Sequence, residues 1–308
     1  MAMSEKYSVG AVVLDDTADV VIGGITQSSV SQNVTVESEA TSGEVYARIM
    51  TIKAIEPSAS FTTRMVSTAL TNIGVSGLSI VTLASGVALF LNQHAIGSTR
   101  AAGSTHRKVL GASGLVVPRR LTLGLKGDAE LSYDVIYLSA DGSAAPVAVT
   151  DNNAFPTVTD AERYALGTAK IGNVALGQLT QLDIDFGINA VVEQAGGEAY
   201  PTFVSIESIK PSITIGCNKA SDATTALLAG TEGTHANSII FLRKRDDGGT
   251  FVADVTAEHI KFTAAGIAHL EQVWTASNQG AATVGIRMDL KYDGTNAPIT
   301  FTGSTAIT

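Results

Sequence analysis

The feature that most constrains this chain is that it aligns with itself. Displaced by 154 residues, half of its 308, the sequence matches without gaps from Gly23 to Ser58. Eleven of these 36 positions are identical, among them Gly23 and Gly177, Gln27 and Gln181, Glu39 and Glu193, Gly43 and Gly197, Glu44 and Glu198, Tyr46 and Tyr200, and Pro57 and Pro211. Ordinary residue usage gives roughly two or three matches in such a window, and several of these fall on the rarer Pro, Tyr and Gln. Apolar pairs such as Val30 with Ile184 and Val34 with Ile188 extend the correspondence to core positions. Farther on, the offset shortens by a residue at His106 with His259 and by another at Asp141-Gly142 with Asp293-Gly294, as small loop deletions would produce. The expectation is two copies of one domain, 1–152 and 153–308, with Thr150–Thr159 as the linker.

Each copy reads as mostly strand. From Ser28 to Glu39, Val30, Val34 and Val36 take one side while Ser29, Ser31, Asn33, Thr35, Glu37 and Glu39 take the other. That is the period-two pattern of a half-buried strand. In the second copy Leu182, Ile184, Phe186 and Ile188 oppose Asp183, Asp185, Asn189 and Glu193, and the even displacement keeps the same face exposed. Partner strands follow at Glu44–Ile55 and Glu198–Ile209, each ended by a proline, Pro57 or Pro211. One short helix is expected in each copy: Thr62–Ile73, capped by Thr62 or Thr63 and closed by Gly74, and Asp222–Leu228 ahead of Gly230. The fold class expected is therefore mainly β, two tandem β-sandwich or half-barrel domains with one short α-helix apiece. Gln93–Val117 and Lys244–Ala268 are long and polar and suggest excursions beyond the core. Asn72–Gln93 carries no charge, but its Gly and Ser interruptions favour two buried strands over a membrane span. Neither signal peptide nor lipidation motif is expected at Met1–Gly10.

Chemistry is sparse. A net charge of −9 argues against a general affinity for phosphate backbones, and a lone Cys217 against disulfides or thiolate clusters. Asp183 and Asp185 share a strand face and could hold a cation, but solvated strand faces commonly alternate this way and the first copy has Ser29 and Ser31 there. Five scattered histidines lack zinc spacing, and His106 and His259, paired by the repeat, suit a structural role. Phosphate loops, dinucleotide fingerprints and nucleophile elbows are missing. No catalytic, cofactor or metal residue is assigned and no enzyme activity is expected. The basic clusters Arg119-Arg120 and Arg243-Lys244-Arg245 suit charged loops or intersubunit salt bridges, the second running directly into Asp246-Asp247.

A duplicated β-domain with no enzyme motif suggests a structural protein whose strand edges pair in an assembly. Gly24-Ile25-Thr26-Gln27, the alternating strand, Ser42-Gly43-Glu44-Val45-Tyr46, Pro57, Phe61-Thr62-Thr63 and the short helix together resemble the core of phage tail tube proteins, the siphophage type above all. The resemblance is strongest over Gly23–Gly74 and its repeat. It implies hexameric rings stacked into a hollow tube for DNA, with neighbouring sheets joined into an inner β-barrel. A duplicated chain would form such a ring as a trimeric pseudo-hexamer. The polar strand face, Ser29, Ser31, Asn33, Thr35, Glu37, Glu39, Asp183, Asp185, Asn189 and Glu193, would then line the lumen. The partners implied are other copies of the chain, tail proteins at the tube ends and DNA in transit. The location implied is the virion tail, after synthesis in the host cytoplasm, with no membrane contact. Rival readings are a capsid decoration or tail-completion protein and a tandem carbohydrate-binding module. The last is disfavoured by a single tryptophan, Trp274, which falls at Thr122 in the first copy.

Overall fold

A computed structural model of the chain describes residues 6–14, 20–40, 45–80, 86–94, 103–159, 162–172, 174–219, 238–246, 249–264, 267–277 and 280–307. Short alternating runs rich in Val, Ile, Leu and Thr make strands nearly throughout. In chain order these are β1 (Lys6–Val13), β2 (Val21–Ile22), β3 (Ile25–Glu39), β4 (Ile49–Thr63), helix α1 (Val66–Ile73), β5 (Leu78–Ser79), β6 (Val87–His94), β7 (Ser104–Gly111), β8 (Gly114–Gly124), β9 (Glu130–Tyr137) and β10 (Val147–Ala154). They continue as β11 (Tyr164–Ile171), β12 (Val174–Leu176), β13 (Leu179–Asp185), β14 (Ile188–Glu193), β15 (Phe203–Ile209), β16 (Ser212–Cys217), β17 (Ser238–Lys244), β18 (His259–Ala264), β19 (Ile267–Ser277), β20 (Gly280–Lys291) and β21 (Thr300–Thr305).

The protein is mainly β, with antiparallel sheets. A long central sheet runs β19-β20-β16-β13-β8-β9-β4-β3, with β5 pairing β8 beside that path. Two five-stranded sheets have the orders β10-β7-β6-β1-β2 and β21-β18-β17-β11-β12, and β14 and β15 form a separate ribbon. One face of the central sheet supplies Phe61, Leu121, Leu131, Tyr133, Ile184, Ile213, Ile286 and Met288 to a single continuous core. The five-stranded sheets complete it with Val12, Leu89, Ile171, Ile240, Ile260 and Phe262.

Several sequence expectations change. β4 does not stop at Pro57 but runs through it to Thr63. Pro57 faces Gln32 of β3, whereas the ladder to β9 begins only at Ser58, so a residue without an N–H interrupts nothing on that side. The corresponding strands of the second half do break, between β13 and β14 and between β15 and β16. Gly187, with φ +59°, lies so close to Lys210 that an added Cβ would stand 1.9 Å from its carbonyl oxygen. α1 starts at Val66, later than expected, because Thr62 and Thr63 belong to β4. Glu162 serves its first turn, its carboxylate accepting from Ser67 N, Thr68 N and Thr68 Oγ1 at 3.1, 3.2 and 2.6 Å. Gly74 closes it, donating to Leu70 O at 2.8 Å. The helix expected at 222–228 lies outside the described residues.

The stretch Thr150–Thr159 is only half a linker, since Thr150–Ala154 belong to β10 and Phe155 packs against His106 and Phe90. The boundary drawn at 152/153 thus falls within a strand. Nor are Gln93–Val117 and Lys244–Ala268 wholly excursions: β7, the start of β8 and β18 lie in them, with Val109, Val116, Ile260 and Phe262 buried. Charged residues interspersed among the buried ones, such as Arg107, Lys108 and Lys261, lower the apparent hydrophobicity of true strands. Among the described residues, no helix is long and apolar enough to cross a membrane.

The paired histidines have matching structural roles. His106 Nδ1 accepts from Gln93 N at 3.0 Å and His259 Nδ1 from Lys244 N at 3.1 Å, with both rings buried. An accepting Nδ1 places the proton on Nε2, which in His259 lies 3.1 Å from Ala253 O. His259→Leu removes both bonds and is expected to cost about 1–3 kcal/mol of stability, read from the denaturant midpoint. An unchanged midpoint would count against this structural role.

Candidate assembly surface

The polar face of the central sheet is built by strand parity: residues alternate with the core-facing set and so share the opposite side. Of the ten residues expected there, Ser29, Ser31, Asn33, Thr35, Glu37, Glu39 and Asp185 are exposed on the central sheet, while Asn189 and Glu193 are exposed on β14 of the separate ribbon. Ser29 and Ser31 hydroxyls meet those of Ser60 and Ser58 across the β3–β4 ladder at 2.7 and 3.3 Å. Glu37 pairs with Lys53, and Asn189 donates to Glu207 at 2.6 Å. Asp183 differs. Its side chain is only 10% exposed and is gripped by Arg120, whose Nε lies 2.8 Å from Oδ1 and whose Nη2 meets Oδ2.

That ion pair stands at the middle of the sheet. β13 and β8 pair with Gln181 opposite Gly124, Ile184 opposite Leu121 and Asp185 opposite Arg120, so two halves of the chain share one sheet through this joint. The Asp183 hydrogen bond, and then its charge, raise the Arg120 pKa above its ordinary value. Arg119, squeezed out by a bulge between Pro118 and Arg120, turns to Asp134 at 2.7 Å and donates to Ile188 O at 2.6 Å. The Arg119-Arg120 cluster is therefore part of the joint, 63 residues from its partner Asp183, a proximity that sequence spacing gave no sign of. An open groove above it is lined by Arg64, Arg120, Asp128, Glu130, Gln181 and Asp183.

The other basic cluster is occupied locally. Arg243 meets Asp254 at 2.7 Å and Lys244 meets Glu258 at 2.6 Å, while the Arg243 and Arg245 guanidinium groups lie over Phe251. Its carboxylate partners thus include Asp254 and Glu258.

The two ends of the central sheet are β3 and β19. Both carry apolar side chains in the open: Val30, Val34 and Val36 are 38–47% exposed on β3, and Val273 and Trp274 are 56% and 53% exposed on β19. The apolar side of β3 was expected to be buried. Its parity is as expected, but Val30, Val34 and Val36 stand 38–47% exposed. The β3–β4 hairpin adds Tyr46, Ile49, Met50 and Ile52 to the exposed apolar set. An unpaired edge strand offers free backbone N–H and C=O groups on which a further strand can be laid.

Among the described residues, no group of three or more His, Cys, Asp or Glu is arranged to hold a metal ion. No family model matches this chain, and no curated protein matches it.

Proposed function

We propose that the chain is a virion structural protein, the major subunit of a phage tail tube, built of two copies of one domain and assembled as trimeric, pseudo-hexameric rings stacked into a hollow tube for DNA. The observation that carries this reading is the relation between the joined and the free strand edges. Under the repeat, β3 corresponds to β13, β4 to β15 and β16, β8 to β19, and β9 to β20. The sheet is then the four-strand order β8-β9-β4-β3 followed by its equivalent, β19-β20-β16-β13. The five-stranded sheets correspond in the same way, strand for strand.

Within the chain, the β13 edge of one half pairs with the β8 edge of the other. The free edges, β3 and β19, are the counterparts of those two. Pairing β19 of one chain with β3 of the next therefore repeats the internal joint and leaves the same two edges free again, a heterologous contact that closes only as a ring. Three chains would close a barrel of 24 strands, eight from each chain. Its polar face would contain Ser29, Ser31, Asn33, Thr35, Glu37, Glu39 and Asp185, with Asn189 and Glu193 on the β14–β15 ribbon that follows β13, and their acidic side chains would repel passing phosphates. Asp183 would contribute a neutralised pair with Arg120 instead of a free charge.

The reading places the protein in the virion tail, made in the host cytoplasm, with further tail proteins at the tube ends. Electron microscopy and native mass spectrometry of the purified protein test it. Stacked rings of three chains with approximate six-fold averages are expected. Isolated trimers that never stack would favour a decoration or completion protein, and a persistent monomer would remove the tube altogether.

A further inference from the structure

A loop from the second half of the chain already fills a seat on the first. Ala199 N and Tyr200 N donate to Gly142 O at 2.8 and 3.0 Å, Ile55 N donates to Ala199 O at 3.1 Å, and Ser139 N donates to Pro201 O at 2.9 Å. Pro201 is buried there. Glu198 lies across Gly142, where φ is +72° and an added Cβ would stand 2.4 Å from the Glu198 Cγ, so glycine suits both the backbone and the close approach. Asp141 shapes the seat: its Oδ1 accepts from Ala144 N and Ser143 N at 2.8 and 2.9 Å, and these bonds hold its carboxyl at about 2.

The second half carries the same turn, and among the described residues no loop fills it. Asp293 Oδ1 accepts from Asn296 N and Thr295 N at 2.6 and 2.8 Å, reproducing the turn. Gly294, at φ +95°, has nothing within 4 Å of where a Cβ would be. Beside it Ile209, Pro211, Tyr292, Ala297 and Pro298 line an apolar pocket of about 260 Å³, with Ile209 38% and Tyr292 59% exposed. The filling loop has a counterpart too. Gly197-Glu198-Ala199-Tyr200 repeats as Gly43-Glu44-Val45-Tyr46, identical at three of four positions. Val45 and Tyr46 are 93% and 84% exposed.

We propose that Val45–Ala47 of one copy of the chain dock into the seat formed by Ile209, Tyr292 and Gly294 of a second copy, their amides donating to the Gly294 carbonyl as Ala199 and Tyr200 donate to Gly142. The internal joint brings β13 and Ala199–Pro201 together against β8 and Gly142. At the chain end β3 and Val45–Ala47 accordingly face β19 and Gly294. The loop is a latch that adds to edge pairing and explains why Gly, Glu and Tyr persist in both loops and Asp-Gly in both turns. This inference rests on the ring reading above.

The test is a photo-cross-linking benzoylphenylalanine in place of Tyr46, in protein mixed from isotopically light and heavy chains. Mass spectrometry should map cross-links to residues 292–299 of another copy, with at least tenfold higher yield in the ring fraction than in monomer. The same probe in place of Tyr200 should cross-link within its own chain to residues 139–146. Rings whose position-46 cross-links fall elsewhere overturn the latch and leave the ring standing. A protein that forms neither rings nor intermolecular cross-links overturns both.

Discussion

Trp274→Asp is expected to leave a folded chain that no longer assembles, with the yield of rings and tubes falling by about a hundredfold or more. The partner of Trp274 follows from the ladders. Thr63 pairs with Leu131, which pairs with Leu121; Cys217 pairs with Val284, which pairs with Trp274. On the proposed duplication Thr63 and Cys217, 154 residues apart, are counterparts, so Trp274 would correspond to Leu121, one residue from the Thr122 that the sequence offset suggested. Because Leu121 faces Ile184 across the internal joint, the proposed ring would set Trp274 opposite Val30 of the next chain.

Leu121 and Ile184 are fully buried, whereas Trp274 and Val30 are 53% and 38% exposed, the state expected of a joint awaiting its other half. Burying each side chain contributes roughly 1.5–3 kcal/mol at most. A carboxylate in its place must be desolvated without a partner, and a three-chain ring repeats that penalty at every joint. Trp274 is half in solvent already, so circular dichroism and the melting midpoint of the monomer should hardly move. Val30→Lys in the same chain should restore much of the assembly by pairing with the new aspartate. In the unmutated protein the single tryptophan should show a blue-shifted emission on assembly. Rings formed by Trp274→Asp as readily as by the parent would rule out the joint.

Much of this surface was legible in the sequence, and the part that was not has a common cause. Parity along Leu182, Ile184 and Phe186 gives the buried face because side chains alternate whatever lies above them. The same parity along Val30, Val34 and Val36 says which face is apolar but not whether the chain itself covers it. The contrast arises because β13 is flanked by β16 and β8, whereas β3 pairs only with β4 among the described residues. β7 and β18 escaped notice because Arg107, Lys108 and Lys261 break their apolar runs. Arg120 and Asp183 are 63 residues apart, and only sheet register brings them together. The repeat itself was the strongest signal, since Gly43, Glu44 and Tyr46 recur as Gly197, Glu198 and Tyr200 at one fixed offset.

The two kinds of joint differ in chemistry, and exchanging them yields the second large effect. At the internal joint Arg120 covers Asp183; at the chain end the same positions are Val273 and Ser29. Arg120→Val alone leaves Asp183, whose side chain is 10% exposed, without its cation, and should cost about 3 kcal/mol of unfolding free energy. Asp183→Ser alone should cost less, about 1 kcal/mol, because the Arg120 side chain is 58% exposed and can turn to water. Arg120→Val with Asp183→Ser installs the chain-end pair at the internal joint. The double variant should recover to within about 1 kcal/mol of the parent, because a buried ion pair replaced by groups that fit is often nearly neutral. Urea unfolding of the four proteins gives the coupling directly. Additive losses in the double variant would mean that Val273 and Ser29 do not occupy equivalent positions, and the correspondence between the joints would fail with them.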